Sequence, residues 1–169
     1  MQAREDFGPA AEGADERRMR VALGAAREAA RAGEVPVGAC VVSREGALLS
    51  AAGNRTRADC DPTAHAEVLA LREAARRVGN YRLPGASVYS TIEPCAMCAG
   101  ALVQARVARL VYGARDEKAG AVESVFRVCD AGSLNHRMEL TAGVLGDECS
   151  ALMREFFRER RIERTKDEG

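Results

Sequence analysis

His65-Ala66-Glu67, followed downstream by Pro94-Cys95-Ala96-Met97-Cys98, brings one imidazole, two thiols and one carboxylate into a recurring chemical pattern. One imidazole and two thiolates can hold zinc with its fourth position open to water, and bound zinc lowers that water's pKa to about 7. A carboxylate that is not a ligand can then move protons between the water, a ring nitrogen and departing ammonia. This is the set of groups that metal-assisted removal of an amino group from a nucleobase requires. The expectation is one zinc ion on His65, Cys95 and Cys98, with Glu67 as the proton carrier.

Those residues need particular supports. Cys95 and Cys98, three apart, share one face of a helical first turn, for which Pro94 suits the first position. The positive end of that helix favours thiolates, the zinc-binding form. His65 and Glu67 are two apart, about 200° around an ideal helix. The pair works best with His65 at a helix start, so two helix N-termini should converge on one ion.

The rest of the chain supplies elements to carry them. The periodicity predicts a helix from Asp15 to about Ala32, with Met19, Ala22 and Ala26 in its apolar stripe, ended by Gly33. Val37–Val42 and Ala47–Ala51 read as a hairpin around Arg44-Glu45-Gly46. A loop from Gly53 to Pro62 leads to a helix that starts at Asp61 or Thr63 and runs to about Arg77. Ala86–Ile92 and Ala108–Gly113 read as strands on either side of a helix from Pro94 to about Arg106. A short helix is predicted around Ala121–Val128, a short strand over Met138–Leu140 and a long helix from Asp147 to about Arg164. Strands alternating with helices argue for a three-layer α/β domain with helices on both faces of a sheet. Residues 1–14 read as a flexible leader, 15–164 as the zinc-dependent domain and 165–169 as a polar tail.

Composition narrows the function classes. The chain of 169 residues is 47% hydrophobic yet only 4% aromatic, with no Trp, so its core must rest on Ala, Val and Leu. No apolar run reaches membrane-span length and no signal-peptide segment is present, which points to a cytoplasmic protein. Six Cys in such a chain read as thiols and metal ligands, not as a disulfide framework. Net charge is zero, but residues 1–16 hold one basic and five acidic side chains, which leaves a mildly basic body that permits RNA binding.

A structural zinc would need a fourth protein ligand, for which Cys40, Cys60, Cys129 and His136 are the candidates. None shares a second Cys-x-x-Cys or His-x-x-x-His pairing, which favours an open site. Cys40, Cys129 and Cys149 read as buried core residues, and Cys60 as the exposed thiol. Glu93, beside Pro94, reads as favourable charge at a helix start.

The order His-x-Glu then Pro-Cys-x-x-Cys is the signature of zinc deaminases. Further segments narrow it: Glu34-Val-Pro-Val-Gly38, Gly53-Asn54-Arg55, Asp61-Pro-Thr-Ala-His-Ala-Glu67, Asn80-Tyr-Arg-Leu83, Glu93-Pro-Cys-Ala-Met-Cys-Ala-Gly100, Gly113-Ala-Arg-Asp116, Asn135-His-Arg137, Asp147-Glu-Cys149 and Phe156-Phe-Arg158. From about Asp15 to Arg161 the chain resembles the bacterial tRNA-specific adenosine deaminases, which convert adenosine to inosine at the wobble position of an anticodon. The resemblance implies a cytidine deaminase-like α/β/α sandwich with a mixed five-stranded sheet, used as a homodimer. It implies metal ligands His65, Cys95 and Cys98 and a proton shuttle at Glu67. It also implies substrate contacts from Asn54 and from Asp116, the latter to a ribose, where a carboxylate favours RNA over DNA. Phe156 and Arg160 resemble the helix that meets the anticodon loop. The partner implied is a tRNA anticodon loop, with neither DNA nor membrane. Val122-Glu123 stands where a small residue and Gly are common in that family, and the acidic leader is unusual. The rival functions are deamination of free bases or nucleosides and a zinc-stabilised binding module without catalysis.

Overall fold

The strands at the centre of the sheet are covered on both faces. The computed structural model describes residues 9–167. In chain order they form α1 (Pro9–Arg31), β1 (Gly38–Val42), β2 (Leu48–Gly53), α2 (Ala66–Val78), β3 (Ser87–Ile92), α3 (Ala96–Gln104), β4 (Arg109–Ala114), β5 (Glu139–Ala142) and α4 (Gly146–Asp167). The sheet order is β2-β1-β3-β4-β5. β1 is buried along its whole length and β3 and β4 nearly so, whereas edge strands β2 and β5 carry exposed positions, as expected for a sheet covered on both sides. β1 runs antiparallel to β2 and β3, and β3, β4 and β5 are parallel, so the sheet is mixed.

Helices α2 and α3 cover one face, with Ala66, Ala70, Leu71, Leu102 and Val103 packed on Val88 and Leu110. Helices α1 and α4 cover the other, where Met19, Ala22, Leu23 and Cys149 meet Cys40 and Val111. Small residues compensate for the scarcity of aromatic bulk by letting layers approach closely. A methyl group on Gly38 would lie 2.0 Å from the Ala22 carbonyl oxygen, so β1 and α1 could not pack as they do with any other residue there. The three-layer sandwich matches the expectation. No helix among the described residues is long and apolar enough to cross a membrane.

Several boundaries differ from those read in the sequence. α1 begins at Pro9, six residues ahead of Asp15, so the described part of the expected leader is helical; residues 1–8 lie outside the described residues. Pro9 fits a first helical position, where its missing N–H has no intrahelical partner to lose. Asp15 is not a cap but part of a cluster. Its carboxylate accepts from Tyr89 Oη at 2.8 Å and from both terminal nitrogens of Arg109 at 2.8 Å, tying α1 to β3 and β4. α4 extends to Asp167, through much of the expected polar tail, of which residues 168–169 lie outside the described set.

The helix predicted around Ala121–Val128 does not form; the segment is a series of turns. The N–H groups of Val122, Glu123 and Ser124 donate instead to the Glu93 carboxylate, at 3.1, 2.8 and 2.9 Å. The first N–H groups of a helix have no intrahelical partner, so that capture alone does not stop a helix. It fails because Val125 and Phe126 both donate to the Gly120 carbonyl, at 2.9 and 3.1 Å, and Val128 to that of Ala121, at 3.0 Å, none of them four residues back.

Candidate active site

The C-terminal ends of β2, β3 and β4 lie along one edge of the sheet, and the candidate residues are mounted just beyond them. His65 is the N-cap of α2, in extended conformation at φ −76° and ψ 150°. That places its ring outside the helix, as the two-residue spacing to Glu67 required. Cys95 is the N-cap of α3, also extended. Pro94 therefore precedes the helix instead of opening it, two residues ahead of the first helical position at Ala96, and Cys98 lies in the first turn. The His65 side chain does not bond back to its own helix, and Cys95 Sγ faces the N–H groups of Met97 and Cys98 at the start of α3, which leaves both side chains free to act as ligands.

The three donors converge. His65 Nδ1 lies 3.6 Å from Cys95 Sγ and 3.5 Å from Cys98 Sγ. All three ligand atoms fall within 4.8 Å of one another, and no other His, Cys, Asp or Glu among the described residues joins the group. Cys98 is fully buried, while His65 and Cys95 are half-buried. One nitrogen and two sulfurs at these separations fit a tetrahedral zinc with one position left over. The residues considered as a fourth ligand are engaged elsewhere. Cys40 Sγ contacts the Arg18 carbonyl, Cys60 Sγ that of Arg57, and His136 Nε2 lies 2.6 Å from the Val107 carbonyl oxygen. Cys129 is buried in the core beneath α3. Cys40 and Cys149 are buried and Cys60 exposed, as expected.

Electrostatics at the cluster follow from its geometry. A hydrogen bond from Cys98, supported by backbone N–H groups and the nearby imidazole, draws Cys95 down to about 5 despite burial. That bond and burial push the Cys98 thiol up. The Cys98 hydrogen bond, the N–H groups at the start of α3 and the imidazole thus favour the thiolate form at Cys95. Burial pushes Glu67 above the usual carboxylate range. Its Oε2 lies 3.5 Å from Cys98 Sγ, and its Oε1 accepts from Ser90 Oγ at 3.2 Å. Glu67 is therefore beside the three-donor group without belonging to it.

Asn54, just past β2, is buried. Its Oδ1 accepts the Ala66 N–H at 2.8 Å, satisfying a donor at the start of α2 that His65 does not cap. Its Nδ2 is the end that remains to donate. Asp116 lies at the start of the loop after β4, where its Oδ1 accepts from the N–H groups of Lys118 and Ala119 at 3.0 and 3.1 Å. That loop reaches the metal cluster through a bridge between Gly120 and Cys95 and a 2.8 Å bond from Ala121 N–H to the Pro94 carbonyl.

Two buried carboxylates were not read as site components in the sequence. Glu34, 1% exposed, accepts from the N–H groups of Arg57 and Ala58 at 3.0 and 2.8 Å and from Thr56 Oγ1 at 3.2 Å, and so shapes the loop that delivers His65. Glu93, 2% exposed, gathers the loop after β4. Burial would raise Glu93, but the converging N–H donors outweigh it and hold the carboxyl at about 2. It is no helix-start charge: its oxygens face away from α3 and into the following loop. A sequence signal for Glu34 was present in the Glu34–Gly38 motif, though the motif alone does not say what the carboxylate binds.

The expectation for α4 is revised. Arg160 stacks on Phe156 at 5.1 Å and donates to the Gly33 carbonyl at 2.5 Å, so this pair fastens α4 to the end of α1. Phe157, Arg154, Arg158 and Arg161 face outward instead, and with Lys118 they line a groove of about 930 Å³.

Residues 12–114 match the cytidine and deoxycytidylate deaminase zinc-binding region. The chain is 46% identical over 150 residues to the tRNA-specific adenosine deaminase of Haemophilus influenzae, spanning 89% of this chain and 87% of that protein. Among solved structures it is similar to one from studies of A-to-I editing by tRNA:A34 deaminases at the wobble position of transfer RNA. That likeness has a TM-score of 0.78 and 43% identity, and covers 80% of this chain and 98% of the other. It is less similar to a guanine deaminase from Nitrosomonas europaea, at a TM-score of 0.73 and 27% identity over 92% of this chain and 96% of that one. With its three-donor cluster, adjacent buried carboxylate and mixed sheet, the chain belongs to the cytidine and deoxycytidylate deaminase family and, within it, to the tRNA-specific adenosine deaminases.

Proposed function

We propose that this protein hydrolytically deaminates adenosine to inosine at the wobble position of a tRNA anticodon, with zinc held by His65, Cys95 and Cys98. The observation that carries the reading is the open three-donor cluster with a buried carboxylate at its side, in a chain 46% identical to a tRNA-specific adenosine deaminase. When bound, zinc supplies Lewis-acid activation of water near neutral pH.

The chain's own residues do the rest. Glu67, kept above the ordinary carboxylate range by burial, takes one proton from the attacking water and delivers it to the purine ring nitrogen. It then takes the proton of the new C6 hydroxyl and delivers it to the amino group, which leaves as ammonia while the C6 carbonyl forms. Ser90 Oγ, held 2.7 Å from the Ile92 carbonyl, lies 3.2 Å from Glu67 Oε1, and Oε2 lies against Cys98 Sγ at the metal cluster. Asn54 donates through Nδ2 to a ribose hydroxyl or base edge while its Oδ1 holds α2 in place. Asp116 offers Oδ2 to a 2′-hydroxyl, a contact that selects RNA. The target base must leave its stack, which an anticodon loop permits at lower cost than a duplex. The groove lined by Lys118, Arg154, Phe157, Arg158 and Arg161, with Glu155 as its one carboxylate, supplies net positive charge and one exposed aromatic ring for flanking nucleotides.

The proposal extends to a cytoplasmic homodimer. The exposed side chains of Met97 on α3 and of Val125 and Phe126 in the neighbouring loop support a covered surface there, and light scattering of the purified protein tests it.

The deciding assay compares an anticodon stem-loop with free adenosine, guanine and cytosine. Inosine formed in the stem-loop, with free bases inert, supports the proposal; turnover of free bases alone replaces it with the nucleobase reading. Glu67→Ala is expected to retain one zinc per chain and to lose about 10²- to 10⁴-fold in turnover.

A further inference from the structure

Glu93 stands outside the chemistry assigned above, yet more polar contacts converge on it than on any residue of the metal cluster. Its Oε1 accepts the N–H groups of Val122, Glu123 and Ser124. Its Oε2 accepts the Asp116 N–H at 3.0 Å and the Ser124 hydroxyl. The loop has closed on the carboxylate so tightly that a methyl group on Gly120 would lie 2.4 Å from the Glu93 carboxyl carbon and 2.6 Å from the Asp116 carbonyl oxygen. Glu123, one of the two residues in which this chain departs from the family pattern, adds a second tie. Its side chain accepts from the buried Tyr112 hydroxyl and pairs with Arg115 at 3.6 Å. The same loop bridges to Cys95 through Gly120. One carboxylate thus fixes, in a single turn of chain, the residue proposed to touch the ribose and the strut behind a metal ligand.

We propose that Glu93 is a positioning residue for this deaminase: its Oε2 sets the height of the Asp116 backbone, and with it the ribose contact, against the metal cluster. The inference rests on the functional reading above for Asp116's role in substrate binding. Its physical content is that the two oxygens of Glu93 have separate tasks. Oε1 holds the far end of the loop through three N–H groups, and Oε2 is the oxygen that takes the Asp116 N–H, with the Ser124 hydroxyl beside it.

Replacing Glu93 by Gln separates those tasks. The amide oxygen is retained where three donors need an acceptor, which leaves the NH₂ group facing the Asp116 N–H. The Ser124 hydroxyl can turn to accept from that NH₂, but the Asp116 N–H cannot. Glu93→Gln should therefore speed hydrogen exchange at Asp116 by tenfold or more, on the order expected for one lost charge-assisted bond. Exchange at Val122, Glu123 and Ser124 should stay close to the parent. Zinc content should be unchanged, and kcat/KM on an anticodon stem-loop should fall by about tenfold. Because Glu93 acts through Asp116, the double variant Glu93→Gln/Asp116→Ala should be no slower than Asp116→Ala alone; a merely structural role predicts losses that multiply.

Gly120→Ala tests the same contact without altering Glu93, since the added methyl must push the loop off the carboxylate. It should speed exchange across residues 116–124 and lower kcat/KM. It carries the test if Glu93→Gln does not fold. Unchanged exchange at Asp116 in Glu93→Gln, multiplying losses in the double variant, or parental kinetics in Gly120→Ala each overturns the proposal. If the parent protein fails to deaminate the stem-loop, the functional reading falls, and the exchange data still decide whether Glu93 holds Asp116.

Discussion

Two loops flank the metal cluster, and each closes on one buried carboxylate, but they are built on opposite plans. The loop before His65 distributes its ties. Glu34 accepts from two N–H groups and the Thr56 hydroxyl, Asp61 accepts from the N–H and hydroxyl of Thr63 at 2.7 Å, and Arg55 pairs with Asp59 at 2.7 Å. Asn54 then joins the loop to α2. The loop after β4 concentrates its ties: four N–H groups and a hydroxyl meet on Glu93. The distributed loop presents a ligand at a helix start, where its own backbone is already organised. The concentrated loop has no regular structure, so one charge does the organising.

The plans predict different responses to damage. Glu93→Ala should cost about 4 kcal/mol of unfolding free energy, because several buried N–H groups lose their acceptor together, and Glu34→Ala about 2 kcal/mol. Urea titrations of both variants measure the contrast, and equal losses would break it.

Acid should find the distributed loop through Glu34. Burial would raise its pKa, but the N–H groups of Ala58 and Arg57 and the Thr56 hydroxyl outweigh that and hold it below the usual 4.5. The unfolded chain therefore binds the proton first, so this stabilisation is whole above about pH 4.5 and is lost as pH falls through the folded value. Glu34→Gln should flatten the decline in Tm as pH falls below about 4.5, and a slope there identical to the parent's would show that the carboxylate does not carry it.

Asn54→Ala removes the acceptor at the start of α2 and should cost about 1 kcal/mol, the size of a lost helix cap. If Asn54 also touches substrate, KM on the stem-loop should rise in the same variant. The smallest effects belong to α4. Arg160→Ala should lower stability by about 0.5–1 kcal/mol through its lost contacts with Phe156 and Gly33, with little change in KM. Phe157→Ala should do the reverse, raising KM on RNA while Tm stays put. Coincident effects would mean that α4 has no division between packing and binding faces.

Much of the site was legible because its chemistry is local. The His-x-Glu and Pro-Cys-x-x-Cys spacings each lie within one helix start, so residue types and helical geometry were enough to bring out His65, Glu67, Cys95 and Cys98. The central strands could be read for a related reason: β-rich runs of Val, Ile, Tyr and small residues, without alternating charge, suit strands buried on both faces. The loop at 121–128 could not, since its apolar spacing favours a helix, whereas the chain there folds into turns closed around a carboxylate nearly thirty residues away. Nor could α4's two aromatic rings be told apart, because the face that packs is set by where Gly33 and α1 arrive.

The sequence by itself determined the ligand set, the proton carrier, the sheet's central strands and the class of chemistry, since each depends on residue type and on spacing within a few residues. Only the tertiary structure decided that Glu34 and Glu93 are loop anchors, that Asn54 caps α2, and that Phe157 instead of Phe156 faces outward. Those roles depend on donors and surfaces from distant segments, and a buried charge takes its meaning from whatever hydrogen bonds the folded chain brings to it.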